Sequence, residues 1–132
     1  MNTNTAMSNT PVRSPQAVLK QVFGYKDFRD GQEAIIAAAL DGQDSLVLLP
    51  TGGGKSLCYQ VPALILDGVT VVISPLISLM QDQVAQLRAL GVQAAYINNS
   101  LPFEEQQAVY QQLHYGKLSC YMLHQKKYCN TN

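Results

Sequence analysis

One stretch constrains this chain more than any other: LPTGGGKS, Leu49 to Ser56. It follows a short apolar run, SLVLL (Ser45–Leu49), and opens a segment of helical character. Glycine adopts left-handed backbone without steric cost, so Gly52, Gly53 and Gly54 let the chain curl with its N–H groups pointing inward. A helix starting at the end of that curl adds the partial positive charge of its N-terminus. Thr51, Gly52, Gly53, Gly54, Lys55 and Ser56 thereby read as a cradle for a nucleotide's phosphates. Lys55 is placed to reach the β- and γ-phosphates and is the expected catalytic residue; the Ser56 hydroxyl is the expected ligand for Mg²⁺. The general pattern GxxxxGK[ST] needs glycine where Leu49 stands, so its first position is missing. The competing reading is a glycine-rich turn beside a surface lysine. The agreement of strand, loop and helix around the motif argues against it.

The flanking sequence alternates strand-like and helix-like segments. Ser14-Pro15 opens a first helix with Val18, Leu19, Val22 and Phe23 on its apolar face, ended by Gly24. A second helix begins near Asp30, with Asp30 and Glu33 at capping-box spacing, and closes at Gly42. SLVLL has the continuous apolar character of a strand buried on both faces. A helix then runs from Gly54-Lys55 toward Leu66, with Pro62 kinking or shortening it. VTVVIS (Val69–Ser74) is a second buried strand, and Leu76–Leu90 a helix stopped by Gly91. AAYI (Ala94–Ile97) is a third strand, and Pro102–Tyr115 a polar helix. This order predicts an α/β fold with a parallel sheet between helical layers.

Composition narrows the class. Among 132 residues, nine Lys+Arg balance nine Asp+Glu, so no net positive field attracts nucleic acid, and any DNA contact must be local. An apolar fraction of 47% excludes wholesale disorder. No apolar run approaches the roughly 18 residues that span a bilayer, and the polar start is not a signal peptide. The expectation is a soluble cytoplasmic protein without a membrane partner. Cys58, Cys120 and Cys129 form no CxxC pair and do not indicate a disulfide framework.

PTGGGKS after a strand, without the leading glycine, resembles motif I of superfamily 2 helicases, and specifically of the RecQ family. Upstream, FGYKDFRDGQEAI (Phe23–Ile36) is similar to that family's adenine-recognition segment. The resemblance implies that Tyr25 and Arg29 flank the adenine and that Gln32 reads its edge. Aromatic rings and guanidinium groups stack on flat bases, and a glutamine amide matches adenine N6 and N7. Downstream, VVISPLISLMQDQV (Val71–Val84) looks like the family's motif Ia, which touches the backbone of single-stranded DNA. Ser74, Pro75, Leu76 and Ser78 are the candidates there, with Asn98 of AYINNS in register for the next element. Leu76, Ile77, Leu79 and Met80 also read as core packing.

The resemblance covers roughly residues 15–118, the first half of a RecA-like P-loop domain, with residues 1–14 as a disordered lead-in. It implies ATP and Mg²⁺ as cofactors, DNA as partner, and 3′-to-5′ unwinding in repair and recombination at a bacterial nucleoid. No Asp-Glu pair occurs anywhere in the chain, so the Asp-Glu-x-His segment that serves magnesium and the attacking water is missing. The second motor domain, with its arginine finger, is missing too. The expectation is therefore a binding half-domain with negligible ATPase activity of its own. A non-catalytic nucleotide-binding module and another kind of P-loop ATPase are the alternatives. Oligomeric state is not legible.

Residues 119–132, SCYMLHQKKYCNTN, lack the buried strand and Ala-Pro-Glu turn that the family would place there. One permitted coding of this stretch, read from its third base, gives Met-Leu-Tyr-Val-Ala-Pro-Glu. The expectation is an out-of-frame tail produced by a frameshift near Leu118-Ser119. A rival reading makes Cys120, His124 and Cys129 zinc ligands, at a spacing that matches no common site.

Overall fold

A computed structural model describes residues 13–49, 54–98 and 101–124. Two compact units divide the chain, Met1–Ile65 and Leu66–Asn132.

The first unit is helical. Helix α1 (Pro15–Gln21) starts where Ser14-Pro15 predicts, and the Ser14 Oγ accepts the Ala17 N–H at 3.1 Å. Helix α2 (Gln32–Leu40) starts one residue later than a cap at Asp30 allows. Its N-cap is Gly31 at φ 87°, and no side chain caps it. The expected Asp30–Glu33 box does not form, because the left-handed turn at Gly31 moves the helix start past Asp30. Helix α3 (Lys55–Ile65) continues through Pro62. Val18, Ile36 and Val61 form the core where α1, α2 and α3 meet, with Phe23, Phe28 and Leu57 packed around them.

The expected strand at Ser45–Leu49 is not one. Residues 43–49 have no regular structure, and Leu46 and Leu48 are 89% and 84% exposed. A strand is stabilised by the neighbours that take its N–H and C=O groups, and the described residues of this unit supply none.

The second unit holds a three-stranded parallel sheet in the order β1-β3-β2. The strands are β1 (Thr70–Ser74), β2 (Ala94–Ile97) and β3 (Cys120–His124). Helix α4 (Ile77–Ala89) packs against all three strands, burying Met80, Val84 and Leu87. Helix α5 (Phe103–His114) packs on β2, where Val109 joins Ala95, Ile97, Leu118 and Tyr121 in a core that includes no α4 residue. The two helices therefore cover opposite faces, and the α/β, three-layer expectation holds within this unit. Helices α4 and α5 end as α2 does: Gly42, Gly91 and Gly116 follow the last turn at positive φ, and the next residue's N–H closes onto the carbonyl five back.

Two sequence expectations fail here. First, β1 is not buried on both faces: its exposure alternates, with Val71 and Ile73 open. Second, the stretch after Leu118 does contain a strand. Cys120, Tyr121 and Met122 are buried in β3, the centre of the sheet, paired on both sides. That placement rests on two partners distant in the chain, and local pattern carries no trace of them.

Candidate nucleotide site

Three separate pieces of the first unit converge at the start of α3. Gly54 precedes the helix in the left-handed region, at φ 78°, where glycine alone is unstrained. Lys55 is the first residue of α3 and is exposed; Ser56 follows, half-buried. Lys55 thus stands at the helix N-terminus. Thr51, Gly52 and Gly53 lie outside the described residues.

Gln32 is the residue that ties the site together. It opens α2, yet it is only 1% exposed. Its Oε1 accepts the backbone N–H of Arg29 at 2.8 Å. Its Nε2 donates to the carbonyl of Gly54 at 3.1 Å. A Cβ added to Gly54 would fall on Gln32 Nε2, and Arg29 Cδ stands 4.0 Å from that same point. The structure therefore brings Arg29, Gln32 and Gly54 together across 22 residues of sequence. Leu49 packs close by: its Cδ2 would lie 3.8 Å from a Cβ on Gly31. Tyr25 is exposed, and no described contact joins it to the loop.

A further residue, missed in the sequence, belongs here. The Cys58 Sγ lies 4.0 Å from the Gly54 carbonyl, within reach of a weak S–H···O bond. Burial raises the Cys58 pKa, so the thiol keeps the proton it donates. The only sequence signal is its spacing, four residues after Gly54 on a helix, which stacks it over the first turn.

The arrangement fits a polyphosphate. The left-handed Gly54 leads into the helix, the helix N-terminus carries partial positive charge, and Lys55 offers a cation. Among the described residues no group of three or more His, Cys, Asp or Glu could hold a metal ion. The zinc reading loses Cys120 to the sheet core, where burial pushes its thiol up to about 11; Cys129 lies outside the described residues.

The DNA-contact candidates separate into two groups. Pro75, Leu76 and Ser78 are exposed at the start of α4, where no side chain caps the helix. Ser74 and Asn98, the other two candidates, are buried. The Ser74 Oγ accepts the Leu76 N–H at 3.2 Å, so its hydroxyl closes its own turn. Asn98 directly follows β2, and its carbonyl accepts the Leu101 N–H. Both sit at strand ends, and for Ser74 the side chain satisfies the turn that leaves the sheet.

Comparison with known proteins places the sequence in a family. The family model for the DEAD/DEAH box helicase matches residues 29–125. The chain is 61% identical over 102 residues to the ATP-dependent DNA helicase RecQ of Haemophilus influenzae, covering 77% of this chain and 16% of that protein. It is 55% identical over 115 residues to the enzyme of the same name from Pasteurella multocida, covering 87% of this chain and 18% of that protein. With the RecQ helicase of Bacillus subtilis it shares 47% identity over 109 residues, 82% of this chain and 18% of that protein. The chain thus spans less than a fifth of the length of these curated relatives.

The chain belongs to the DEAD/DEAH box helicase family, and its α/β fold is part of a RecA-like P-loop domain. Within that class its sequence is of the RecQ type. No helix among the described residues is long and apolar enough to cross a membrane.

Proposed function

We propose that this chain is the ATP-binding part of a RecQ-type DNA helicase motor, which in full unwinds DNA 3′-to-5′ during repair and recombination. Arg29 and Tyr25 stack on adenine, Gln32 reads its edge, and Thr51 to Ser56 hold the phosphates. Lys55 neutralises phosphate charge, and Ser56 ligands Mg²⁺. Pro75, Leu76 and Ser78 meet the backbone of single-stranded DNA at the start of α4, where the Ser78 hydroxyl and the helix N-terminus suit phosphate oxygens. In a bacterium such an enzyme works in the cytoplasm, on the nucleoid. The supporting observation is the pair of hydrogen bonds at the Gln32 amide, which accepts from the Arg29 N–H and donates to the Gly54 carbonyl and so links the two segments.

Phosphoryl transfer depends on positioning and charge neutralisation, and this chain carries no Asp-Glu pair. The 132-residue chain alone therefore binds nucleotide without turning it over. Titration with Mg-ATP tests the site: saturable binding that Lys55→Ala removes is the expected result. No binding, or binding indifferent to that substitution, overturns the assignment. DNA-stimulated hydrolysis that Lys55→Ala abolishes would retain the site and overturn its inactivity.

A further inference from the structure

We infer that the second unit carries a binding site for a small carboxylate, held by the guanidinium of Arg88 in a cleft at the end of α4. The site uses no residue of the nucleotide site and does not depend on it.

The cleft has a volume of about 270 Å³ and lies where the end of α4, the start of β2 and the end of α5 come together. Arg88 is the charged residue among those that line it. The Arg88 Nε donates to the Ala94 carbonyl at 2.8 Å, which fixes the plane of the guanidinium. That bond engages Nε and leaves both terminal amino groups, and among the described residues no Asp or Glu pairs with them. A guanidinium held in one plane presents two parallel N–H donors at the spacing of a carboxylate's two oxygens. The lining carbonyls, which would repel an anion, are already engaged. That of Gln93 accepts the Ser119 N–H at 2.8 Å, that of Ala94 accepts from Arg88, and that of Gln112 accepts the Lys117 N–H at 2.9 Å. The side chains of Gln93 and Gln112, both exposed, add neutral amide donors.

Size and charge select the ligand. Small-molecule sites commonly run to roughly 300–1,000 Å³, so this cleft takes a short molecule or a single side chain. One cation among neutral groups balances one carboxylate, not the several charges of a nucleotide's phosphates. An arginine in the last turn of α4 also suits the negative end of that helix. That service needs no cleft, and it does not account for a fixed fork left open beside two amides.

Two probes present the carboxylate from its two sources: succinate as a free small acid, and the blocked peptide acetyl-Gly-Gly-Glu-Gly-Gly-amide as a side chain of a polypeptide. In NMR titrations of the full chain at fixed ionic strength, the Arg88 Nε–H and the side-chain amides of Gln93 and Gln112 should shift along a saturating curve. Saturation by succinate alone identifies a free acid, and saturation by the peptide at lower concentration identifies an acidic side chain. Uncharged succinamide should produce no such shift. Arg88→Lys keeps the charge and loses the fork, and should weaken binding at least about tenfold, as for a lost charge-assisted hydrogen bond. Because that substitution also breaks the Ala94 bond, Gln112→Glu is its companion. It leaves the bond in place and puts a competing carboxylate in the same cleft, so binding should be lost. Shifts that stay linear in concentration, that succinamide reproduces, or that keep full affinity in either variant would overturn the site.

Discussion

Val71 and Tyr121 stand side by side on one face of the sheet, paired in register, yet Tyr121 is 5% exposed and Val71 51%. The difference follows from how far α5 reaches. It packs on β2, and its core takes in Tyr121 of the central strand. Val71 and Ile73 lie one strand further out, on the same face, and stay open. Strand β1 is also the edge of the sheet among the described residues. An open apolar edge strand without charge or proline templates pairing with another chain. Val71→Lys with Ile73→Thr should therefore reduce self-association while changing stability by no more than about 0.5 kcal/mol, as for most surface positions. Light scattering across a concentration series, beside a urea melt, checks both halves. Unchanged association would place the sticky surface elsewhere.

Met122 provides the contrast. It lies in the central strand, is fully buried, and faces away from Tyr121. Met122→Ala should cost about 2–5 kcal/mol, the range for cavities left by large aliphatic side chains. This also tests the strand at Cys120–His124, in a stretch expected from its sequence to lie outside the fold. If residues 119–124 were an unpacked tail, the substitution would leave the melting curve where it was.

The difference between what was and was not legible lies in the range of the interactions. Ser14, Gly42 and Gly91 act within one helical turn, so the boundaries they mark could be read directly. The phosphate loop and the α/β class were readable because glycine run, lysine and flanking periodicity agree locally. Ser45–Leu49 misled because apolar residues specify burial only when a partner exists to bury them. Cys120–His124 escaped for the opposite reason: its partners, β1 and β2, lie up to 50 residues away along the chain. The base-reading role of Gln32 is implied by the resemblance of its segment, whereas its bond to Gly54 spans 22 residues and leaves no sequence signal.

Gly54→Ala should weaken nucleotide binding. The substitution places a Cβ on a residue at φ 78° and drives it into Gln32 Nε2. Left-handed backbone alone costs an alanine roughly 1–2 kcal/mol. Relief requires the loop to flatten or Gln32 to leave its pocket, and either disorganises the phosphate cradle. Mg-ATP titration should show affinity reduced at least about tenfold, which corresponds to 1.4 kcal/mol. Retained affinity would mean that Gln32 yields at little cost, and would weaken its assignment to the loop.

Ser14→Ala should destabilise the first unit by about 1 kcal/mol, because the Ser14 Oγ satisfies the otherwise orphaned N–H of Ala17. Ser14→Gly should cost only a few tenths, since glycine at an N-cap leaves the backbone open to water. Urea unfolding of the two variants beside the unsubstituted chain gives the order. Equal losses would show that α1 is held by the burial of Val18 and Leu19 alone.

Cys120 makes stability fall at alkaline pH. Burial in the sheet raises its thiol from 9.0 to about 11, so the folded state holds the proton more tightly than the unfolded state. The sign follows from linkage. Where the native state binds more protons, stability declines as pH rises. The Cys120 contribution is therefore whole below pH 9 and is lost between about pH 9 and 11. Tyrosines and lysines titrate in the same window, so the comparison must be with Cys120→Ala, which removes this one group. The urea midpoint of the unsubstituted chain should fall more steeply over that window than the midpoint of the variant. Parallel slopes would mean that the thiol reaches solvent in the folded state. Alkylation at pH 8 gives an independent check, because a buried protonated thiol reacts only as fast as the sheet opens.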